Sequence, residues 1–459
     1  VITNTTDLFS LSPVDGRYSS KTAPLAQICN EATLISNRVK VEVNYLLALA
    51  EEGIVRKLTV QEKKKLHALT QLTPANFRHI KQIEAKTHHD VKAVEYFLRE
   101  KFSNTSLKDL SAFIHFGLTS EDINNLAYRQ MMRQAMQEVI TPELIKILEI
   151  LTSLADKYQA QPMLARTHGQ PAIPTTFGKE LAVFIYRILP LIKKINQLKL
   201  RGKLNGAVGG YQALVLAYPK TNWLKFSQKF VESLGFEFLP ISTQINPQDD
   251  LVELFQYIIH LNQILIGLNQ DLWHYISDDW LSQCYKKGQI GSSTMPQKIN
   301  PIDFENSEGN LKMANGLLTI FVQNFPISRL QRDLSDSTIY RNMGMALGHC
   351  LLSYQSLGRG LASITVNQKQ MDNDLNANWN ILAEAAQTIA RKNGDGKAYE
   401  KISTISKDKK LTKKDWIKIT QKINVNLTQL SPKKYLGLSS QLTQKVVTQS
   451  YKLIKEINS

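Results

Sequence analysis

Between Leu251 and Ile276 the apolar residues Leu251, Leu254, Phe255, Ile258, Ile259, Leu261, Ile264, Leu265, Leu268, Leu272 and Ile276 recur at helical spacing. They fill more than one stripe, so a helix built from them must be covered on several sides. A lone surface helix cannot meet that demand; a bundle can. Four further long patterns supply neighbours. One runs through Leu144, Ile147, Leu148, Leu151, Leu154, Ala155 and Tyr158, and another through Leu181, Phe184, Ile185, Ile188, Leu191, Ile192, Ile195 and Leu198. The last two cover about 308–323 and 343–362. Pro190 interrupts the second series, where a kink is expected. Convincing alternating strands are absent. The spacing therefore predicts an all-α protein with a central long-helix bundle, whose uncovered faces favour oligomerisation.

At 459 residues the chain is too long for one core. The Ser103-Asn104-Thr105-Ser106 loop suggests an N-terminal helical domain over 1–110, then the long-helix domain over 111–363 and a lysine-rich helical domain over 364–459. The net charge of +16 is mostly a property of the last part, since residues 391–459 hold 16 Lys/Arg against 5 Asp/Glu. Few aromatics interleave with those lysines and no helix-turn-helix, zinc-finger or RNP pattern occurs, so the stretch reads as a solvated face and not a nucleic-acid site. A basic protein also draws anionic substrates through its field. No apolar stretch reaches the roughly 18 residues that span a bilayer, and the opening Val-Ile-Thr-Asn lacks the marks of a signal peptide. Cys29, Cys284 and Cys350 are odd in number and widely spaced, against a disulfide framework or a zinc site. A cytoplasmic protein without metal is expected, and no glycine-rich dinucleotide fingerprint appears.

Chemistry concentrates in a few runs. Gly291-Ser292-Ser293-Thr294-Met295-Pro296-Gln297-Lys298-Ile299-Asn300-Pro301 can bring hydroxyls, backbone N–H groups, an ammonium and an amide onto one carboxylated substrate. His168, in Arg166-Thr167-His168-Gly169-Gln170-Pro171, is a candidate proton donor or a histidine packed at a helix terminus. Thr119-Ser120-Glu121-Asp122 reads as a helix start, able to receive an anion or merely to cap. His89, Lys92 and Glu95 share one face of a predicted helix whose opposite face is Val91, Val94 and Leu98. Arg17 with Tyr18, Arg332, and Ser337 with Arg341 are candidates for a phosphate clamp.

The 291–301 loop closely resembles the signature of the fumarase/aspartase superfamily. Four further runs resemble the bacterial branch of the adenylosuccinate lyase family within it: residues 12–18, 88–97, 119–125 and 166–171. Residues 329–342 fit the same family, so the likeness spans about 12–342 and leaves the lysine-rich end almost untouched. The resemblance implies a three-domain homotetramer around a shared helix bundle, with each active site built from several subunits. It implies elimination of fumarate from adenylosuccinate, giving AMP, and from SAICAR, giving AICAR, with no cofactor. Such cleavage of a succinyl C–N bond needs a base, an acid, and fixed positive or hydrogen-bonding groups on the carboxylate.

The resemblance assigns Ser292 as base, six residues before Lys298; residue chemistry alone would favour a histidine. A serine can serve only if loop N–H groups and Lys298 stabilise its alkoxide. Lys298 and Asn300 would hold the carboxylate, and His168 would protonate the leaving nitrogen. Substrate contacts carried over are Arg17, Tyr18, His88, His89, Asp90, Thr119, Ser120, Gln170, Gln244, Ser293, Asn306, Arg332, Ser337, Thr338 and Arg341, with Thr167 beside His168. The chain departs from the family at His88, where asparagine is usual, at Gln248, where histidine is expected, and at Gln289, where glutamate is expected. Argininosuccinate lyase is the rival in class, sharing Met-Pro-Gln-Lys; the Arg17-Tyr18 and Arg332–Arg341 regions favour a phosphorylated substrate instead. A non-catalytic scaffold would be expected to have lost the acid, the base or the lysine, and this chain keeps all three.

Overall fold

The computed structural model describes residues 8–284, 295, 297–407, 411–422, 427 and 429–458. The protein is 68% helical. The five patterns become the helices Thr141–Lys157, Phe177–Gln197, Asp249–Ser277, Ile302–Asn324 and Met343–Ser363. The Phe177–Gln197 helix continues through Pro190. Six short strands occur among the described residues, as three two-stranded sheets.

The chain divides into two compact units. One comprises residues 1–142, 194–260 and 312–352, the other 143–193, 261–311 and 353–459. In the first, Phe255, Phe321, Phe325, Tyr340 and Tyr128 form a run of ring contacts between 4.6 and 5.5 Å. In the second, Phe177 packs on Tyr158 and Tyr275, and Tyr275 on Trp280.

Asp249–Ser277 is long and apolar enough, by length and composition, to cross a membrane. The expectation of no such stretch considered only unbroken apolar runs, and here polar residues are interspersed. Within the fold Leu251, Leu254, Phe255, Ile258, Leu261, Ile264, Leu265, Leu268 and Leu272 are all buried. Two of its buried amides bond to neighbouring helices: Asn262 accepts from the Tyr354 hydroxyl at 2.6 Å, and Asn269 donates to Ser307 at 3.0 Å. That is the pattern of a core helix, as its several apolar stripes require.

Candidate active site

Two helices of the first unit, Glu31–Glu51 and Ser120–Ala135, frame the site. Arg38 ties them together, donating from Nε to Asn124 at 2.8 Å and from Nη2 to Asp90 at 2.7 Å. The corner leading into Ser120 turns through His115 and Gly117, both at positive φ. Glu42 holds it, accepting from the His115 backbone N–H at 3.1 Å and lying 2.6 Å from its ring Nδ1, while Tyr45 donates to the Phe116 carbonyl at 2.8 Å. Asp122 then completes the helix start. Its carboxylate accepts from the N–H groups of Thr119 (2.9 Å), Asn205 (3.0 Å) and Gly206 (3.1 Å). Lys203 Nζ lies 3.0 Å from it, both side chains fully buried. Thr119 is thus the N-cap, as the sequence predicts.

The His115–Glu42 pair has a pH signature. Burial works to lower the His115 pKa, but the hydrogen bond and charge of Glu42, with Glu95 and Asp122, outweigh it and the net shift is upward. A raised histidine stabilises the fold fully below its unfolded value of about 6.5, and that contribution fades as pH climbs through the folded value. Denaturant midpoints measured between about pH 6 and 9 are therefore expected to fall more in the parent than in His115→Gln. Equal slopes would remove His115 from the account.

On this frame sits a cavity of about 430 Å³. It gathers His88, His89, Asp90, Ser120, Gln244, Arg332, Ser337 and Arg341 from four runs far apart in the chain. Arg332 Nη1 lies 3.2 Å from Glu121 and donates to Gln244 at 3.4 Å; Gln244 in turn donates to the Ala207 carbonyl at 3.0 Å. Burial pushes the Asp90 carboxyl upward, but Arg38, the Val91 N–H and His89 overcome that and hold it below the usual range. Arg341 is exposed, 3.9 Å from Asp90. Arg17 and Tyr18, beside the start of Ser19–Ala26, do not line this cavity, nor do Thr119 and Thr338.

The two histidines occupy helix ends. His89 is the N-cap of Asp90–Phe102 and not a member of its polar face; its Nδ1 accepts from the Lys92 N–H at 3.3 Å. Its Nε2 lies 3.5 Å from the Ser120 hydroxyl. Lys92 pairs instead with Glu95 at 2.8 Å. His88 closes Pro74–Thr87 at φ 51°, in the left-handed region. Asparagine and histidine tolerate that region better than most residues, which accounts for either standing here. His88→Asn is expected to leave the thermal midpoint nearly unchanged, whereas His88→Val costs about 1–2 kcal/mol; equal melting of the two would contradict this.

The remaining expected residues lie in the second unit. His168 is neither in a helix nor packed at its end. It forms, with Gly169, the two-residue tip of the hairpin Pro162–Thr167 and Gln170–Thr176. Both tip residues have positive φ, 52° and 72°, and both are exposed with Thr167 and Gln170. The stem is anchored by buried Met163, Leu164, Thr175 and Thr176, and by Arg166 on Asp278 at 3.1 Å. Lys298 is exposed and Asn300 half-buried; the Asn300 carbonyl accepts from the Ile302 N–H at 2.8 Å, leading into Ile302–Asn324. Asn306, on that helix, accepts from Ser356 at 2.8 Å. Ser292, Ser293 and Gln289 lie outside the described residues.

Several lining residues escaped the sequence reading: Arg38, Glu84 and Tyr128, with Glu121, Asn124, Asp336 and Tyr340 quoted only as members of runs. Gln248, the expected histidine, is buried at φ 64° and accepts from the Arg129 guanidinium at 3.0 Å. The substitution thus falls on a structural hydrogen bond beneath the site.

The family model described as "Lyase" matches residues 16–316, and that described as "Adenylosuccinate lyase C-terminal" matches 328–436. Adenylosuccinate lyase of Haemophilus influenzae is 45% identical over 450 residues, covering 96% of this chain and 99% of that protein. The Escherichia coli K12 enzyme is 42% identical over 441 residues, covering 94% and 97%. Among solved structures, fumarate lyase from Mesorhizobium sp. BNC1 superposes with TM-score 0.74 at 18% identity, covering 93% of this chain and 97% of that one. The 3-carboxy-cis,cis-muconate lactonizing enzyme of Pseudomonas putida gives 0.76 at 18%, covering 94% and 97%. These two speak for the fold alone. With matches along nearly its whole length, and with three of its family-like runs (88–97, 119–125 and 329–342) meeting at one cavity, the chain belongs to the adenylosuccinate lyase family.

Proposed function

We propose that this protein eliminates fumarate from adenylosuccinate, giving AMP, and from SAICAR, giving AICAR, as a step of purine biosynthesis. One observation carries the reading: a cavity lined by Arg332, Arg341, Ser337, Ser120 and the His88–Asp90 corner, suited to a phosphorylated ligand, in a chain aligned end to end with enzymes of that name. Guanidinium forks and hydroxyls suit the phosphate.

In the elimination Ser292 removes a proton from the carbon beside a carboxylate. The electron pair spreads into that carboxylate, whose doubled charge Lys298 and Asn300 stabilise. The C–N bond then breaks as His168 gives its proton to the departing nitrogen. Thr167, Gln170, Ser293 and Asn306 hold the succinyl end, and Arg17 and Tyr18 assist at the phosphate. Proton transfers and a redox-neutral C–N cleavage account for the whole reaction, so no cofactor is required. The positive φ of His168 supports its role, because a non-glycine residue kept at such a tip is a common mark of function.

We further propose a homotetramer with active sites shared between subunits, in the cytoplasm. The support is an uncovered seam on Ile302–Asn324: Ile302, Met313 and Ile320 are exposed, and Gly309 and Gly316 face open space, at heptad-like spacing.

The test is purified protein with adenylosuccinate, following fumarate and AMP together, with light scattering for the assembly. Equimolar release is expected. A folded protein that ignores adenylosuccinate and cleaves argininosuccinate would sink the substrate while sparing the mechanism.

A further inference from the structure

We propose that Asp336 is a specificity-determining residue of the cavity, meeting an anionic oxygen of the bound nucleotide as a neutral acid that donates its O–H. The inference rests on the function proposed above, which makes the ligand a phosphate ester bearing carboxylates. Four carboxyl groups line the cavity: Glu84, Asp90, Glu121 and Asp336. Three have a cation in contact, namely Lys81 at 2.7 Å from Glu84, Arg38 at 2.7 Å from Asp90 and Arg332 at 3.2 Å from Glu121. Asp336 has no such contact among the described residues. It is 8% exposed, and its Oδ1 is buried without a hydrogen-bond partner.

Its surroundings favour the uncharged form. Burial and the charge of Glu121, on the facing helix, push the carboxyl upward, with Asp333 adding to them. Arg332 and the Ser337 N–H oppose, yet the net direction is upward from the ordinary aspartate value. Arg332 is already engaged by Glu121. Tyr340, on the same short helix as Asp336, is a neutral phenol, and burial raises its pKa well above the ordinary value. An ionised Asp336 beside Glu121 would repel a phosphate or carboxylate at close range. A protonated one adds a donor next to Ser337 and Arg341 without adding negative charge. Ligand binding then takes up a proton from solvent onto the fraction of Asp336 that is ionised in the free protein.

The experiment compares the parent with Asp336→Asn and Asp336→Ala, using AMP binding by calorimetry in buffers of different ionisation enthalpy, and steady-state kinetics with adenylosuccinate. The parent is expected to take up more protons on binding AMP than Asp336→Asn does. Asp336→Ala should weaken AMP and raise KM by about tenfold or more, the loss expected for a hydrogen bond to a charged group. Asp336→Asn, near-isosteric and still a donor, should recover most of that affinity while losing the proton uptake. If the asparagine variant binds as poorly as the alanine one, fails to fold, or keeps the parent's proton uptake, the proposal is overturned. A parent that releases no fumarate would instead overturn the function on which it rests.

Discussion

Replacing His168 by alanine is expected to slow fumarate release by about 10²–10⁴-fold, the usual contribution of a positioned general acid. The hairpin makes a sharper version possible. His168 and Gly169 both hold positive φ between the paired residues Thr167 and Gln170, and Asn-Gly is the dipeptide most suited to such a turn. His168→Asn therefore keeps the tip and removes only the proton donor. It should fold like the parent, bind AMP with similar affinity, and lose activity as severely as the alanine variant. Ser292→Ala should lose at least as much, since nothing then takes the proton. Activity of His168→Asn within about tenfold of the parent would remove the imidazole from the mechanism.

The second large effect concerns stability. Arg129 is fully buried and donates to Asp250 through Nε at 2.9 Å and Nη2 at 2.7 Å. Asp250 also accepts the Arg201 N–H at 2.7 Å. Asp250→Ala leaves a guanidinium without its counter-charge in the interior, at a cost of about 3–5 kcal/mol. The double variant Asp250→Leu with Arg129→Met removes both charges and should recover much of that loss, since buried pairs are often replaceable by apolar groups. Denaturant unfolding reads both. A double variant as unstable as Asp250→Ala would mean that the Arg201 contact, not the ion pair, carries the stability. Gln244 lies on the segment leading to Asp250, so KM should worsen along with stability.

The long helices were legible because their apolar residues report burial locally. Glu31–Glu51 was not, although it frames the site. Its buried Asn37, Arg38 and Glu42 break the apolar pattern, and their partners Ala127, Asp90 and His115 lie far along the chain. The His168 hairpin was missed for another reason: Pro162, Pro171 and Pro174 argue locally against a strand, yet all three stand within its pairing. The cavity was legible wherever a run could be matched, at His88–Asp90, Ser120, Gln244 and Arg332–Arg341. Arg38 and Tyr128 belong to no such run. They enter through ring packing and ion pairs that exist only once the segments meet.

The first unit takes its three stretches from 1–142, 194–260 and 312–352, and this has a consequence for the chain on the ribosome. At roughly 5–20 residues per second, some 10–40 seconds separate the emergence of its first stretch from that of its last. Throughout that interval Tyr128 waits for Tyr340, and for part of it Arg129 waits for Asp250. The nascent chain thus carries an unpaired cation and a bare ring on a half-built core, and the pocket comes into being only as the last of these partners leaves the exit tunnel.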